Sequence, residues 1–138
     1  MAHSLWNYDG LCKNIHGHSY KLDVTVIGKP IDDESNNKQG MVMDFIDLKE
    51  IVNRTIVSKL DHAYIINEKS DHEKLSELNE MFERHDIVNY QPTCEMMIID
   101  FASRIKKELP NHIQLYSLKL RETATSYAEW YASDNSND

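Results

Sequence analysis

Cys12, His16 and His18 stand within seven residues of one another, and imidazole and thiol are the side chains that most readily ligate a transition metal or move a proton near neutral pH. Side chains alternate across an extended backbone, so the His16-Gly17-His18 spacing sends both imidazoles to the same side. Two neutral imidazoles so placed can bind one metal ion, and Gly17 between them leaves the backbone free to approach another segment closely. Asp61 directly precedes His62 at the end of an apolar periodic stretch. A carboxylate can orient a neighbouring imidazole, although such a pair at a helix end is unremarkable by itself. Glu122 falls on the apolar parity at the end of an alternating run, where a carboxylate is either paired or used. An ion pair with a Lys or Arg of a neighbouring strand and a role in a site both satisfy that requirement.

The elements that must position these groups follow from periodicity. Residues 19–27 alternate, with Tyr20, Leu22, Val24 and Val26 on the apolar parity and Ser19, Lys21, Asp23 and Thr25 on the wet one, which predicts a strand with the two histidines at its head. A hairpin partner is expected for it, ending at Met41, Val42 and Met43. Asp44 is an expected N-cap, and Phe45, Leu48, Val52, Ile56 and Leu60 recur at helical spacing over about four turns. Residues 71–85 read as a charged surface helix with Leu75, Leu78 and Phe82 inward and with His72 and His85 facing solvent. Pro92 and Thr93 open a second helix, with Thr93 as N-cap, Glu95 in the first turn and Pro110 as its stop. Met97, Ile98, Phe101, Ile105 and Leu109 form its stripe, and Cys94 reads as a small first-turn residue. Residues 113–123 alternate again, with Tyr116, Leu118 and Leu120 sharing the face that continues to Glu122. A last strand is expected over residues 127–131 and a polar tail over 133–138.

Strand pair, helix, helix, strand pair is the order of an α+β domain, a four-stranded antiparallel sheet covered on one face by two helices. Its two open edges are ones that a homo-oligomer can close into a barrel. The chain has 138 residues, of which 41% are hydrophobic and 28% charged, which predicts one soluble globular domain over 1–138. A net charge of -8 argues against a nucleic-acid partner, because phosphate-backbone binding needs a basic surface. No apolar run has membrane-spanning length and no leader pattern opens the sequence, so no membrane partner and a cytoplasmic location are expected. In that compartment Cys12 and Cys94 are expected to be free thiols.

Taken in order, Ala2-His3, Cys12-x3-His16-Gly17-His18, Asp44-Phe45, Leu60-Asp61-His62, Pro92-Thr93-Cys94-Glu95 and Arg121-Glu122-Thr123 resemble the motifs of the 6-pyruvoyl-tetrahydropterin synthase family. Within it they are most similar to the bacterial 6-carboxy-5,6,7,8-tetrahydropterin synthases of the queuosine pathway, in which three residues separate the cysteine from His-Gly-His. The resemblance implies a tunnelling fold, with trimers closing a barrel, two trimers stacked into a hexamer, and active sites between subunits. It implies a zinc ion on His3, His16 and His18, and three protein nitrogens with one open position are the form of a catalytic zinc. Cys12 would be the general base, Asp61 and His62 a proton-relay pair, and Glu122 the anchor of the pterin, with Thr93 and Glu95 near the pterin pocket. The small-molecule substrate implied is 7,8-dihydroneopterin triphosphate. Lys13 and Lys119 are candidates by position for its phosphates. Family members carry a full strand ahead of the first zinc histidine, where this sequence has Met1 and Ala2.

Overall fold

The computed structural model describes residues 1–70, 76–77 and 80–135. Two short strands, β1 (Ala2–His3) and β2 (His16–Gly17), precede the seven-residue β3 (Lys21–Ile27). In β3 the alternation is the one the sequence predicts: Leu22, Val24 and Val26 pack on the core while Lys21, Asp23 and Thr25 face out. Its hydrogen-bonded partner is not the segment at 41–43, which forms no strand. The amide of Ile31 donates to Met41 O at 2.9 Å and that of Gly40 to Ile31 O at 2.8 Å, closing the connection into a loop. Gly40 takes φ +83°, a left-handed conformation that glycine adopts without a Cβ clash.

Helix α1 (Phe45–Val52) starts at the expected cap, where the Asp44 carboxylate accepts from the amide of Ile46. It passes through a π-helical turn (Asn53–Val57) into a final α-helical turn (Ser58–Leu60). The Thr55 hydroxyl donates back to Ile51 O at 2.7 Å there, a side-chain competitor for the helix's own hydrogen bonds. The widened turn brings Ile51, Thr55, Ile56 and Leu60 onto the buried side, whereas Phe45, expected in the stripe, is 77% exposed.

Strands β4 (Tyr64–Asn67) and β5 (His85–Val88) follow. The reading of 71–85 as one helix is corrected at its end, because His85 opens β5. Its Leu75 and Leu78 and His72 lie outside the described residues. Helix α2 (Cys94–Lys106) matches expectation: the Thr93 side chain accepts from the Met96 amide, and Met97, Ile98, Phe101 and Ile105 are all buried. Strands β6 (Gln114–Arg121) and β7 (Tyr127–Tyr131) follow, and a 3-10 helix (Ala132–Asn135) takes up the start of the expected polar tail, of which 136–138 lie outside the described residues.

The expected four-stranded antiparallel sheet is replaced by two sheets. One is three-stranded and antiparallel, in the order β3-β6-β7; the other is four-stranded and mixed, in the order β2-β1-β4-β5, with β1/β4 and β4/β5 parallel. Four-residue strands buried on both faces, such as β4, carry no alternation to read from sequence. A register shift between Thr25 and Val26 puts Ser117 and then Leu115 opposite them, so Tyr116 bulges out and is 48% exposed instead of sharing a face with Leu118 and Leu120. The core joins the inner face of the three-stranded sheet (Leu115, Leu118, Leu120, Trp130) to the two helices through Phe101, Met97, Ile105 and Ile56. Phe101 is 1% exposed at its centre, so Phe101→Ala is expected to cost about 3–5 kcal/mol, read as a lowered urea midpoint with unchanged slope. Among the described residues no helix is long and apolar enough to cross a membrane.

Candidate active site

The small mixed sheet brings three histidines to one place. His3 of β1 pairs directly opposite His16 of β2 in antiparallel register, and Ala2 pairs opposite Gly17. A Cβ at residue 17 would stand 3.2 Å from Met1 O and 3.6 Å from the Ala2 Cα, so the glycine serves the close approach of β1. His18 follows on the same side as His16. Ring centroids lie 4.5 Å apart for His3–His16, 5.2 Å for His16–His18 and 5.6 Å for His3–His18. Their ligand atoms all fall within 4.8 Å of one another.

Two backbone carbonyls orient this cluster. His3 Nδ1 lies 2.6 Å from Pro92 O, and His16 Nδ1 lies 2.9 Å from Asn14 O. A carbonyl only accepts, so each Nδ1 carries the proton and each Nε2 keeps its lone pair, the arrangement in which outer partners fix the tautomer of a metal-binding histidine. Burial holds the pKa of His3, which is 3% exposed, below the ordinary histidine value, so its ring is neutral at neutral pH. Three clustered imidazoles, two with defined outer partners, form a donor set that fits a zinc ion. Pro92, known to the sequence reading only as a helix opener, is thereby part of the site through its carbonyl.

Glu122 follows β6 and turns toward this cluster. Its Oε1 accepts from the Tyr20 hydroxyl at 2.8 Å and lies 3.5 Å from His3 Nε2 and 3.6 Å from His18 Nε2. The carboxylate is thus neither stranded in the core nor paired with a strand Lys or Arg. Tyr20, read from sequence as an apolar-face residue, is its hydrogen-bond donor, and its hydroxyl also lies 3.3 Å from His3 Nε2. Burial, then the Glu122 carboxylate, push the Tyr20 pKa upward, so the phenol stays a neutral donor.

Cys12 sits half-buried in a 3-10 turn (Leu11–Lys13), with its carbonyl accepting from the Leu5 amide at 2.8 Å. Its thiol is within electrostatic reach of the Tyr20 hydroxyl. Cys94 is different: its Sγ donates to Leu120 O at 3.3 Å, and burial pushes its pKa up to about 11. Brief iodoacetamide treatment at pH 8 is therefore expected to alkylate Cys12 and spare Cys94, as read by peptide mass mapping.

Asp61 and His62 form the expected pair, with His62 Nδ1 at 3.0 Å from Asp61 Oδ1. His62 takes φ +56°, a left-handed conformation that costs a non-glycine residue of order 1 kcal/mol and is characteristic of functional turns. Both side chains are mainly exposed in the single chain, and His62 lines a cavity shared with His18. Thr93 and Glu95 lie apart in role. The Thr93 oxygen is engaged as the α2 cap, and Glu95 is exposed in the first turn. Lys119, a candidate for phosphate, pairs with Glu129 at 2.9 Å and stacks 3.6 Å over the Tyr127 ring. Lys13 is exposed in the turn that carries Cys12.

The profile of the family described as 6-pyruvoyl tetrahydropterin synthase matches residues 1–133. A Haemophilus influenzae protein named 6-carboxy-5,6,7,8-tetrahydropterin synthase is 35% identical over 132 residues, covering 94% of this chain and 91% of that one. An Aquifex aeolicus protein of the same name is 32% identical over 127 residues, covering 86% and 75%. The crystal structure of an uncharacterised Wolinella succinogenes protein superimposes with a TM-score of 0.71 at 22% identity, covering 94% and 91%, a likeness of fold. The chain belongs to the 6-pyruvoyl tetrahydropterin synthase family.

Proposed function

We propose that the protein is a zinc-dependent lyase that converts 7,8-dihydroneopterin triphosphate and water into 6-carboxy-5,6,7,8-tetrahydropterin, triphosphate and acetaldehyde, a step toward queuosine. The convergence of His3, His16 and His18 is the observation that carries this reading, because it assembles a metal donor set in a chain whose relatives bear that enzyme's name. His3, His16 and His18 would hold a zinc ion, which would supply Lewis-acid polarisation of the substrate's side-chain oxygens. The Cys12 thiolate takes a proton from a side-chain carbon, and His62, oriented by Asp61, moves the second.

Glu122 anchors the pterin through the ring N–H and amino donors. Tyr20 holds its carboxylate in place, and Thr93 and Glu95 stand at the edge of the pterin pocket. The working unit is a hexamer of two stacked trimers, closed through the outer edges of β3 and β7, with its sites between subunits. Those two strands end the three-stranded sheet, and each is bonded to β6 on one side.

Incubating the purified protein with 7,8-dihydroneopterin triphosphate and weighing the products tests the reaction. 6-Carboxy-tetrahydropterin with acetaldehyde supports it. A 6-pyruvoyl product, the outcome that the family's own description favours, would keep the site and reassign the product. Absence of turnover, with pterin still bound through Glu122, would leave a binding scaffold.

A further inference from the structure

A cavity of about 760 Å3 opens beside the histidine cluster, lined in part by His18, Ser19, His62, Tyr64, Phe82 and Arg84. It connects the two groups of chemistry-bearing residues, and its last wall comes from the segment just before β5, to which the sequence assigns no task. We propose that Arg84 is the anion-recognition residue of this cleft, receiving a phosphate group of the ligand; the substrate it implies rests on the dihydropterin triphosphate reading above.

Among the described residues, Arg84 is the single Lys or Arg lining this cavity, and again the single one lining the adjoining cavity that holds Asp61 and His62. A third cavity shared by His18 and His62 has neither. Among the described residues, four other basic side chains near the two sheets and helices are engaged elsewhere: Arg54 with Glu108, Arg104 with Asp86 and Asp100, Lys119 with Glu129, and Arg121 with Asp23. In a chain of net charge -8 an anion is drawn to a site by a local cation, and at this cleft Arg84 supplies the guanidinium, beside the Met1 ammonium. Glu83, the carboxylate on the same lining, sharpens the need for it.

The guanidinium is also held in a defined pose. Nε donates to Asp61 O at 2.9 Å and Nη2 to Ser58 O at 2.5 Å, so the side chain closes the C-terminal end of the first helix. Its own carbonyl accepts from the Tyr64 amide at 3.0 Å, tying the backbone to the start of β4. Five N–H donors on a planar fork leave three beyond those two bonds, fixed in direction before any ligand arrives. The same two bonds place the cation beside the Asp61–His62 turn.

Titration calorimetry with inorganic tripolyphosphate, and separately with neopterin, tests this in the wild type, Arg84→Gln and Arg84→Lys. Loss of a bidentate, charge-assisted contact is expected to weaken tripolyphosphate binding about ten- to hundredfold in Arg84→Gln, with an intermediate value in Arg84→Lys. Neopterin affinity and the circular dichroism spectrum are expected to stay at wild-type values. Unchanged tripolyphosphate affinity in Arg84→Gln, or a wild type that does not bind tripolyphosphate, overturns the assignment. So does a parallel loss of neopterin binding, which would reduce Arg84 to a support for the helix end. A wild type that binds tripolyphosphate through Arg84 yet does not turn over the dihydropterin triphosphate upholds the anion site and sinks the catalytic reading, so the two are separable.

Discussion

His18→Ala is expected to take bound zinc from about one ion per chain to near background after dialysis, measured by plasma mass spectrometry, and to abolish turnover with it. His18 is the member of the histidine cluster whose removal separates metal binding from folding. His3 is buried and donates to Pro92 O, so its loss would open a void in the small sheet and orphan a carbonyl, at a cost of about 1–3 kcal/mol for the unpaired group alone. His18 is half-buried, and its imidazole has no backbone acceptor among the described contacts, so the alanine variant is expected to melt close to the wild type. Magnitude separates this from an indirect effect. Losing an outer-shell partner typically costs 10- to 100-fold in metal affinity, which leaves a loaded site at micromolar zinc. Losing one of three protein ligands should exceed that range. Tyr20→Phe, which keeps all three imidazoles and removes one hydroxyl from Glu122, is the internal comparison and should retain its zinc. A His18→Ala protein with full metal content would show that the three rings are a polar cluster and not a binding site.

What the sequence makes legible here is what periodicity and residue type encode. β3 and α2 follow their patterns nearly residue for residue, because each buries one face against a core and exposes the other. The histidine triad is legible for a similar reason: alternation fixes the side to which His16 and His18 point, and motif likeness supplied His3. The parity of Glu122 demanded a partner, and the structure supplies one 102 positions away in Tyr20, a pairing that no local pattern encodes. Pro92 escapes notice because its contribution is a carbonyl oxygen, the same in every residue type. The mixed sheet is invisible for a different reason. β1 and β2 are two residues long, and β4 is buried on every residue, so neither length nor alternation marks them. The π-helical turn and the Tyr116 bulge each shift the phase of a periodic run midway, which is why Phe45 and Tyr116 lie outside the stripes drawn through them.

Cys12→Ala is expected to lower kcat by about 10²- to 10⁴-fold, the range associated with one positioned acid or base, while zinc content and pterin affinity stay at wild-type values. That split follows from position. Cys12 is not among the three clustered histidines, and the groups that hold the cluster in shape are Pro92 O, Asn14 O and the Tyr20–Glu122 pair. The 3-10 turn that carries it is anchored by backbone bonds, Leu5 N to Cys12 O at 2.8 Å and Asn14 N to Leu11 O at 3.0 Å, which an alanine preserves. Cys12→Ser discriminates further. A hydroxyl keeps the size and hydrogen-bonding capacity of the thiol but ionises far above neutral pH, so a residue needed as a base is not rescued by serine, whereas one needed for packing or hydrogen bonding is. Cys94→Ala supplies the opposite control. That thiol is buried with a raised pKa, so its loss should be felt in the unfolding midpoint and not in kcat. Equal kcat in Cys12→Ala and the wild type would remove the thiolate from the reaction and shift the proton transfers onto Asp61 and His62 alone.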